Sequence, residues 1–514
     1  MSKVVPVDRI TSHRSWFSLI SVCFALFTIT LNVSAINNVL VVVSGDFNVN
    51  MSDLSWVVNS YLLAVTSLIV VGGRLGDLLG RRKMYLIGIA SFMLGLVIGA
   101  LSDVAWLLIL SRIIQAIGCA LIMPASLSII EVVFSPKSRK TALAIWGAIF
   151  GLGFAMGPLL GGLVTDIFGW RWLFWFSIPL IAIAALVALV AMPESQDKKI
   201  DKAIDFGGVA SLALGIFGLI LFLDKILSWG YVSFLSITVL MLSLSALGLF
   251  IWNELKIKTP LIHLAHFRNK RFLAGNLIIF SINFSLMGFF YLFCIVFQNR
   301  LTFKYSALDA GLAMLPMGIC FFLVSLFAGR LLNWMGERKS IVIGMLLIFV
   351  GAFYLAIMPA DVFYLQYVAP LILFGAGIGF MIGPSQMMVL NAVPQQKIGE
   401  ASGISNMIRF LGGAAGVAST SLIYAAVSKD RLISLLQRMK LPQIDEQILD
   451  GWIVGAKSHG ETVFDKMDPE ILSRLLQDAK QALFSGVSAV MLAMGVLCLL
   501  TAIACFFLIQ DRKN

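Results

Sequence analysis

Charged residues are scarce in this 514-residue chain, of which only 13% are Asp, Glu, Lys or Arg. Soluble globular proteins carry about a quarter. Hydrophobic residues make up 59% of the sequence, which is far more apolar surface than a soluble domain buries. The composition therefore excludes an ordinary soluble globular protein and indicates a protein that is solvated by lipid.

Motifs for metals, nucleotides and disulfides are also missing. The six cysteines lie within apolar runs and none has CxxC spacing: Cys23, Cys119, Cys294, Cys320, Cys498 and Cys505. We therefore expect no disulfide framework, no metal site and no cofactor. No Walker loop or GxGxxG fingerprint occurs, which disfavours an ATP-driven pump. The net charge of +11 lies mainly in short loops, where it favours contact with the lipid bilayer over nucleic acid.

Long apolar runs dominate the sequence. A membrane-spanning helix needs about 20 apolar residues. By that rule the sequence contains fourteen runs: Trp16–Val39, Leu54–Gly73, Tyr85–Leu101, Ala105–Ile130, Thr141–Val164, Trp172–Met192, Phe206–Leu223, Tyr231–Trp252, Phe272–Phe297, Leu308–Asn333, Ile341–Met358, Phe363–Leu390, Ala401–Val427 and Ala482–Ile509. The runs lack period-two alternation, so they predict helices and not barrel strands. The predicted fold class is an all-α polytopic membrane protein with 14 transmembrane helices.

Basic residues cluster in alternate loops, and this asymmetry predicts the orientation. Arg81, Arg82 and Lys83 follow the second run, and Arg338 and Lys339 follow the tenth. Because Lys and Arg are enriched in cytoplasmic loops, we expect these loops in the cytoplasm. An even number of spans then places both termini there too, in a multi-pass protein of the cytoplasmic (inner) membrane.

One short loop occurs twice. Its first copy, after the second run, contains Gly73, Asp77, Gly80, Arg81 and Arg82. The second copy, Gly329–Lys339, has Asn333 in place of the aspartate and Glu337 in place of an arginine. Two copies in the same orientation predict two halves that are built alike. The alternative is a pair of ordinary basic loops.

The repeat sets the predicted organisation of the chain. We expect a cytoplasmic N-terminus (1–15), an N-terminal six-helix bundle (16–192), a linker with two extra helices (193–271) and a C-terminal six-helix bundle (272–514). The last bundle contains an extracytoplasmic insert, 428–481. The spacing of its leucines and isoleucines predicts short amphipathic helices that lie on the membrane or cap the bundle. A partner-docking surface is the alternative.

Two arginines lie deep within predicted spans. Gln115 follows Arg112 by one turn in the fourth span, and Asn406 shares a helix face with Arg409 in the thirteenth. Charge in hydrocarbon is costly, so an ionisable residue at such a position is functional by default. Snorkelling to the surface is the alternative for Arg112, and polar contact between helices is the alternative for Arg409.

The fifth span is rich in glycine. It contains Gly153, Gly157, Pro158, Gly161 and Gly162. Glycines at four-residue spacing let a neighbouring helix approach closely, and the proline bends the helix because it removes a backbone hydrogen bond. These features are what a helix between two rocking halves requires, while simple helix packing is the alternative.

Uncharged polar side chains in other spans are candidates for the lining of a cavity. With Asn406 and Arg409 they form the predicted set: Asn32, Ser34, Asn37, Asn283 and Gln386. Amides and hydroxyls among apolar and methionine side chains suit an adaptable pocket for small molecules.

These motifs resemble the major facilitator superfamily and, within it, the fourteen-helix drug:proton antiporter family of multidrug-efflux type. The resemblance rests on the Gly73–Lys83 loop, on Arg112, Gln115 and Gly118, and on Gly153–Gly162, and it covers nearly the whole chain. It implies the major facilitator fold, in which two six-helix bundles rock around a midplane site, with two extra central helices. It also implies a monomer, a small-molecule substrate and a proton as coupling ion.

The resemblance implies roles for the motif residues as well. Asp77 would latch the outward-facing state near Glu400. Arg112, with Gln115, would act in proton coupling. The Gly157–Pro158 segment would keep the contact between the bundles tight to leaks.

One position departs from the family pattern. Family members usually have an aspartate in helix one, where this chain has Asn32. Asparagine has no proton to release at physiological pH. Asp309 and Asp46 are therefore the first candidates for the coupling carboxylate.

Three functions stay open from the sequence. The favoured one is a secondary-active efflux transporter that exports drugs, or an endogenous metabolite such as a siderophore, by alternating access and proton antiport. A transport-inactive receptor or scaffold would use the 428–481 insert, and a periplasmic adaptor is a further open partner. A lipid-modifying enzyme would need clustered catalytic groups. The histidine pair His263 and His266 has no carboxylate beside it in the sequence, so we expect no enzyme.

Overall fold

The computed structural model describes residues 12–47, 49, 51–195, 205–230, 232–257, 260, 262–360, 363–394, 398–439, 449, 451–453 and 469–509. Within these residues the chain forms long α-helices, which we number in chain order: α1 Ser12–Phe47, α2 Met51–Leu79, α3 Arg81–Ala100, α4 Ala105–Val133, α5 Pro136–Phe168, α6 Trp172–Ala191, α7 Phe206–Trp229, α8 Phe234–Lys256, α9 Lys270–Gln298, α10 Ala307–Met335, α11 Glu337–Ala356, α12 Leu365–Asn391, α13 Ile398–Arg438 and α14 Pro469–Leu508. A short 3₁₀ segment, Leu264–Arg268, precedes α9.

The helices have the length and apolarity of membrane spans. Thirteen of those in the described residues are long and apolar enough to cross a bilayer, and α7 adds a shorter apolar stretch, Gly207–Leu223, within a 24-residue helix. In lipid a helix satisfies its backbone hydrogen bonds internally, which is why each apolar run adopts this structure. The prediction of an all-α polytopic membrane protein is confirmed.

Helix contacts repeat with an offset of eight helices. In the first half α3 contacts α4, α2 contacts α4, α1 contacts α5 and α3 contacts α6. The second half has the equivalent pairs α11 with α12, α10 with α12, α9 with α13 and α11 with α14. The chain therefore forms two bundles of six helices with the same internal arrangement, α1–α6 and α9–α14.

The repeated loop adopts the same turn in both halves. Gly80 immediately precedes α3 with a φ of 111°, and Gly336 immediately precedes α11 with a φ of 81°. Residues with a Cβ rarely adopt a positive φ, so glycine is the residue that this sharp helix-to-helix turn requires. We call the side of the molecule that carries these two turns the Gly80 end, and the other side the opposite end.

Two helix pairs join the bundles. α5 packs along α10, and α2 packs along α13. These two pairs are equivalent under the eight-helix repeat, so the bundles face each other with approximate two-fold symmetry. The extra hairpin, α7 and α8, lies outside both bundles, where α7 contacts α2 and α13 and α8 is largely exposed.

The helices around the 428–481 insert differ from the prediction. α13 and α14 are 41 and 40 residues long and extend well beyond the apolar runs. Leu432 and Leu475, on these extensions, are buried, and Asn299 at the end of α9 donates to the carbonyl of Trp452 at 2.9 Å. Most of the described part of the insert is thus a continuation of two spanning helices, and together with Trp452 it packs on the bundle. Residues 440–448 and 454–468 lie outside the described residues.

Candidate functional site

A cavity lies between the bundles, and both contribute to its wall. Its lining comes from α1, α2, α4 and α5 of the first bundle and from α9 and α13 of the second: Ile29, Thr30, Val33, Leu62, Met123, Phe150, Phe154, Asn283, Met287, Arg409, Phe410 and Gly413. Arg409 is the one ionisable residue among these twelve. The wall is otherwise apolar and aromatic, apart from one amide and one hydroxyl.

Arg409 reaches this cavity from α13 and is only 2% exposed. Its Nη2 donates to Oε1 of Gln386 on α12 at 2.8 Å, while Nε and Nη1 have no partner in the described part of the protein. The guanidinium carbon lies 4.9 Å from the ring centroid of Phe150 and 5.5 Å from that of Trp146. Both rings belong to α5, in the other bundle, so cation–π attraction links the two bundles here.

Polar groups on α12 and α13 surround this arginine. Gln386 donates through Nε2 to Oγ of Ser405 at 2.9 Å, and Ser405 donates to the Ser402 carbonyl at 3.0 Å. Asn406, one turn before Arg409, is fully buried, and neither its Oδ1 nor its Nδ2 has a partner among the described residues. Buried amides are normally hydrogen-bonded, so this cluster has unused capacity for hydrogen bonds.

The predicted cavity set divides into two groups. Asn283 and Arg409 line the cavity. Gln386 and Asn406 lie outside the twelve lining residues, next to Arg409 on α12 and α13. Asn32, Ser34 and Asn37 also lie outside the lining, in contact with helices of their own bundle.

Asn32 shows why the sequence misplaced these side chains. Its Nδ2 donates to the Thr28 carbonyl at 2.9 Å and to Oγ of Ser177 on α6 at 2.8 Å. It therefore faces the α1–α6 contact and not the cavity, where the neighbouring Val33 lies instead. Ser34 similarly donates to carbonyls of its own helix and lies against α5.

Arg112 on α4 is enclosed within the first bundle and is 1% exposed. Its Nη1 donates to Oε1 of Gln115 at 2.6 Å and its Nε donates to the Val57 carbonyl of α2 at 3.3 Å. The guanidinium carbon lies 4.4 Å from the Tyr61 ring centroid. The structure thus brings Arg112 and Gln115 together and excludes the snorkelling alternative.

The fifth-span glycines lie on two faces of α5. Gly153, Gly157 and Gly161 contact α1: a Cβ on Gly157 would overlap Ser34, and one on Gly161 would lie 2.8 Å from the Cβ of Ala35. This face is an internal contact of the first bundle.

The other face of α5 meets α10 in the second bundle. A Cβ on Gly162 would overlap the Ala307 carbonyl, and a Cβ on Gly311 would overlap the Pro158 carbonyl. At the opposite end Asp166 accepts a hydrogen bond from the Leu308 N–H at 3.2 Å. Backbone therefore meets backbone across the bundle interface, with one carboxylate at its margin.

Asp77 forms its ion pair within the Gly80-end loop. Its Oδ1 lies 2.8 Å from Nη2 of Arg81. Glu194, at the end of α6, accepts hydrogen bonds from the N–H groups of Arg82 and Lys83 at 3.2 Å each. A carboxylate at this position favours the N-terminus of α3. Glu400, which the resemblance places near Asp77, pairs instead with the linker histidines described below.

The candidate coupling carboxylates Asp46 and Asp309 lie at the opposite end, away from the cavity. Asp46 accepts from Nε1 of Trp170 at 2.8 Å and pairs with Arg171 at 3.1 Å. Asp309 accepts from Oγ of Ser306 at 3.1 Å in the first turn of α10. Each carboxylate therefore stabilises a helix end in this conformation.

A three-residue cluster was missed by the sequence analysis. Glu400, at the start of α13, lies 2.5 Å from Nδ1 of His263 and 3.4 Å from Nε2 of His266. The histidine pair has no carboxylate among its sequence neighbours, but the fold brings Glu400 next to it. The two ring nitrogens and the carboxylate oxygen lie within 4.8 Å of one another, and this set of donor atoms suits a transition metal. The sequence analysis expected no metal site.

The comparison with family models decides the identity of the fold. Residues 22–417 match the model of the Major Facilitator Superfamily. The chain belongs to the Major Facilitator Superfamily. Superfamily members are transporters, which agrees with the expectation that the chain is not an enzyme.

Curated relatives of this superfamily member cover most of its length. The riboflavin transporter RibZ of Clostridioides difficile (strain 630) is 29% identical over 80% of the chain and 89% of its own length. The quinolone resistance protein NorB of Staphylococcus aureus (strain MRSA252) is 30% identical over 80% of the chain and 88% of its own length. A bacterial homologue of the human lysosomal transporter Spinster, solved inward-facing and unoccupied, matches with a TM-score of 0.63 at 14% identity, over 98% of this chain and all of that one.

Proposed function

We propose that this protein is a secondary-active exporter that moves amphipathic small molecules across the cytoplasmic membrane by alternating access. The observation that carries the proposal is the cavity between the bundles, which takes side chains from both halves of the repeat. A site between two symmetry-related bundles becomes accessible from one side and then the other when the bundles rock about it.

The contacts around the cavity support such a motion. The α5–α10 interface consists largely of glycine against backbone, as at Gly162 with Ala307 and at Gly311 with Pro158. Small residues of this kind let two helix backbones pack closely, and we propose that this interface separates and re-forms as the bundles rock. The Arg409 contact with Phe150 also crosses between the bundles.

The names of the relatives support the class of substrate. RibZ is named for riboflavin and NorB for quinolones, and both kinds of molecule are fused aromatic ring systems with polar substituents. The aromatic wall at Phe150 and Phe154 offers ring faces for such molecules. We therefore propose that this protein exports planar amphipathic compounds, either drugs or an endogenous metabolite.

We propose proton antiport as the driving reaction. The twelve lining residues include no carboxylate, so the coupling proton has to be carried outside the cavity wall. Asp309 and Asp46 are the first candidates for this carboxylate, and we propose that Arg112 and Gln115 also act in proton coupling. The proposed topology places the Gly80 end and both termini in the cytoplasm, and the proposed state is a monomer, with a periplasmic adaptor as an open addition.

Purified protein in proteoliposomes tests export and coupling together. Riboflavin and a fluorescent quinolone serve as probes, and an acidic interior is imposed against a neutral exterior. We expect uptake of at least one probe that stops when nigericin collapses the gradient. If uptake proceeds at the same rate with and without nigericin, proton antiport is wrong. Binding of both probes without any uptake would favour the receptor alternative, in which case deletion of 440–468 should abolish a partner interaction.

A further inference from the structure

Resting on the proposed export function, we propose that Arg409 and Asn406 form an anion subsite that selects planar aromatic substrates carrying a carboxylate. Nothing in the superfamily match or in the names of the relatives assigns a role to these two residues.

The first step is charge. Arg409 is 2% exposed and lines the cavity, yet no described carboxylate forms an ion pair with it. Buried charges are normally paired, because removal of an ion from water is costly. The cavity thus carries a positive charge without a counter-ion among the described residues, and such a charge attracts anions and repels cations.

The second step is hydrogen bonding. Nη2 of Arg409 donates to Gln386 at 2.8 Å, whereas Nε and Nη1 have no hydrogen-bond partner in the part of the chain that the structure describes. Among the described residues neither polar atom of Asn406, one turn away on the same helix, has a partner, and Asn406 stands next to Arg409 but outside the twelve lining residues. The site therefore presents two guanidinium donors and an amide that the described protein leaves unused. A carboxylate has two acceptor oxygens, and its bonds to a guanidinium are charge-assisted.

The third step is ring geometry. The rings of Trp146 and Phe150 stack with centroids 5.8 Å apart, Phe150 and Phe154 follow at 4.9 Å, and Phe154 stacks on Phe290 of the other bundle at 6.1 Å. This row of rings runs from the guanidinium across the bundle interface. In the proposed complex a flat aromatic body packs against this wall after the bundles separate, with its carboxylate at Arg409.

Arg112 shows that this environment is specific to Arg409. Arg112 is equally buried, but its Nε and Nη1 donate to Val57 and Gln115 within its own bundle. The chain can therefore satisfy a buried arginine when the position serves the fold.

Three probes with one ring system test the charge preference. They are 1-pyrenecarboxylate, 1-pyrenemethanol and 1-pyrenemethylammonium, and binding to the purified full-length protein is followed by pyrene fluorescence. We expect the carboxylate to bind about tenfold more tightly than the alcohol, the ratio for one charge-assisted hydrogen bond, and the ammonium to bind most weakly. Equal affinities, or tighter binding of the ammonium, would show that no anion subsite exists. The wild-type protein alone is enough for this test.

Two variants then locate the preference. Arg409→Gln should bind the carboxylate and the alcohol equally, and Arg409→Lys should keep most of the preference. Arg431→Gln, an exposed position further along α13, is the matched control and should behave like the wild type. A preference that survives in Arg409→Gln places the anion elsewhere and overturns the assignment.

Transport separates this inference from the function on which it rests. If the three pyrenes are transported in proteoliposomes at equal rates, the protein is an exporter and the anion subsite is wrong. If the carboxylate binds selectively and no probe is transported, the subsite stands and the export function fails.

Discussion

Arg112 and Arg409 are both buried arginines in the middle of spanning helices, but their surroundings differ. Arg112 lies inside one bundle and has a carbonyl, an amide oxygen and a ring face as partners, all from α2 and α4. Arg409 lies between the bundles, with one hydrogen bond to Gln386 and its two ring contacts from the other bundle.

The proposed alternating-access cycle accounts for the difference. If the bundles rock as units, helices within a bundle stay together, and a buried charge there can keep fixed protein partners. Groups at the boundary would lose neighbours each time the bundles separate. The same division runs along α5, where Gly157 faces α1 within the bundle and Gly162 faces α10 across the boundary.

The strongest test of this comparison replaces each arginine by methionine. Arg112→Met should lower the free energy of unfolding by about 3 kcal/mol, because two buried acceptors each lose a donor. Arg409→Met should leave it nearly unchanged, since apolar replacement of a poorly compensated buried charge is often neutral or stabilising. Unfolding of the purified proteins in detergent, followed by tryptophan fluorescence, gives both values. Equal destabilisation by the two substitutions would show that Arg409 is a structural residue like Arg112.

The second test uses the two faces of α5. Gly157→Ala should cost about 2 kcal/mol of stability, as overpacking does, since its Cβ would lie 2.8 Å from the Cβ of Ser34 and 3.0 Å from the Ala35 nitrogen. Gly162→Ala should instead separate α5 from α10, because its Cβ would overlap the Ala307 carbonyl. Thermal unfolding reports the first effect.

Spin labels at Phe168 and Leu312, which are exposed on α5 and α10, report the second effect as a longer distance. The six native cysteines can also take up spin label. A sample without the two introduced cysteines therefore measures this background signal. Gly147→Ala is the matched control on α5, where a Cβ would meet nothing within 4 Å. If Gly162→Ala lowers stability and leaves the distance unchanged, the two faces are not distinct.

The smallest effect is expected at the margin of the boundary. Asp166→Asn weakens the contact with the Leu308 N–H, and a charge at a helix N-terminus is worth about 0.5 kcal/mol. The ratio of separated to closed bundles at this end should then rise roughly twofold. The same spin-label pair measures this ratio, and the exposed Asp478→Asn on α14 serves as control. If the ratio changes equally in both variants, the cause is the change in net charge and not the loss of the contact with Leu308.

Much of the fold was predictable because lipid imposes a simple rule on sequence. The apolar runs had to become helices, and the repeated loop around Gly80 and Gly336 correctly indicated two equivalent bundles. The apolar runs did not predict the ends of α13 and α14. A hydropathy rule marks only the apolar part of a helix, whereas both helices continue beyond it, where buried residues such as Leu432 and Leu475 pack on the bundle.

The site was only partly predictable. Polar residues within spans could be found, but the direction of each side chain could not. Asn283 lines the cavity, whereas Asn32 bonds to Ser177 within its own bundle. Glu400 meets His263 from a distant part of the chain, and no local spacing signals that contact.

The sequence by itself determined the number and nature of the spans, their duplication and the membership of the superfamily. These properties depend on composition and on local motifs, which the solvent and the backbone geometry restrict. Only the tertiary structure decided which buried arginine donates to its own bundle and which one faces the cavity with donors that no described residue uses. Helices in lipid are apolar on nearly all sides, so hydrophobicity does not fix their rotation, and packing against neighbouring helices has to do so.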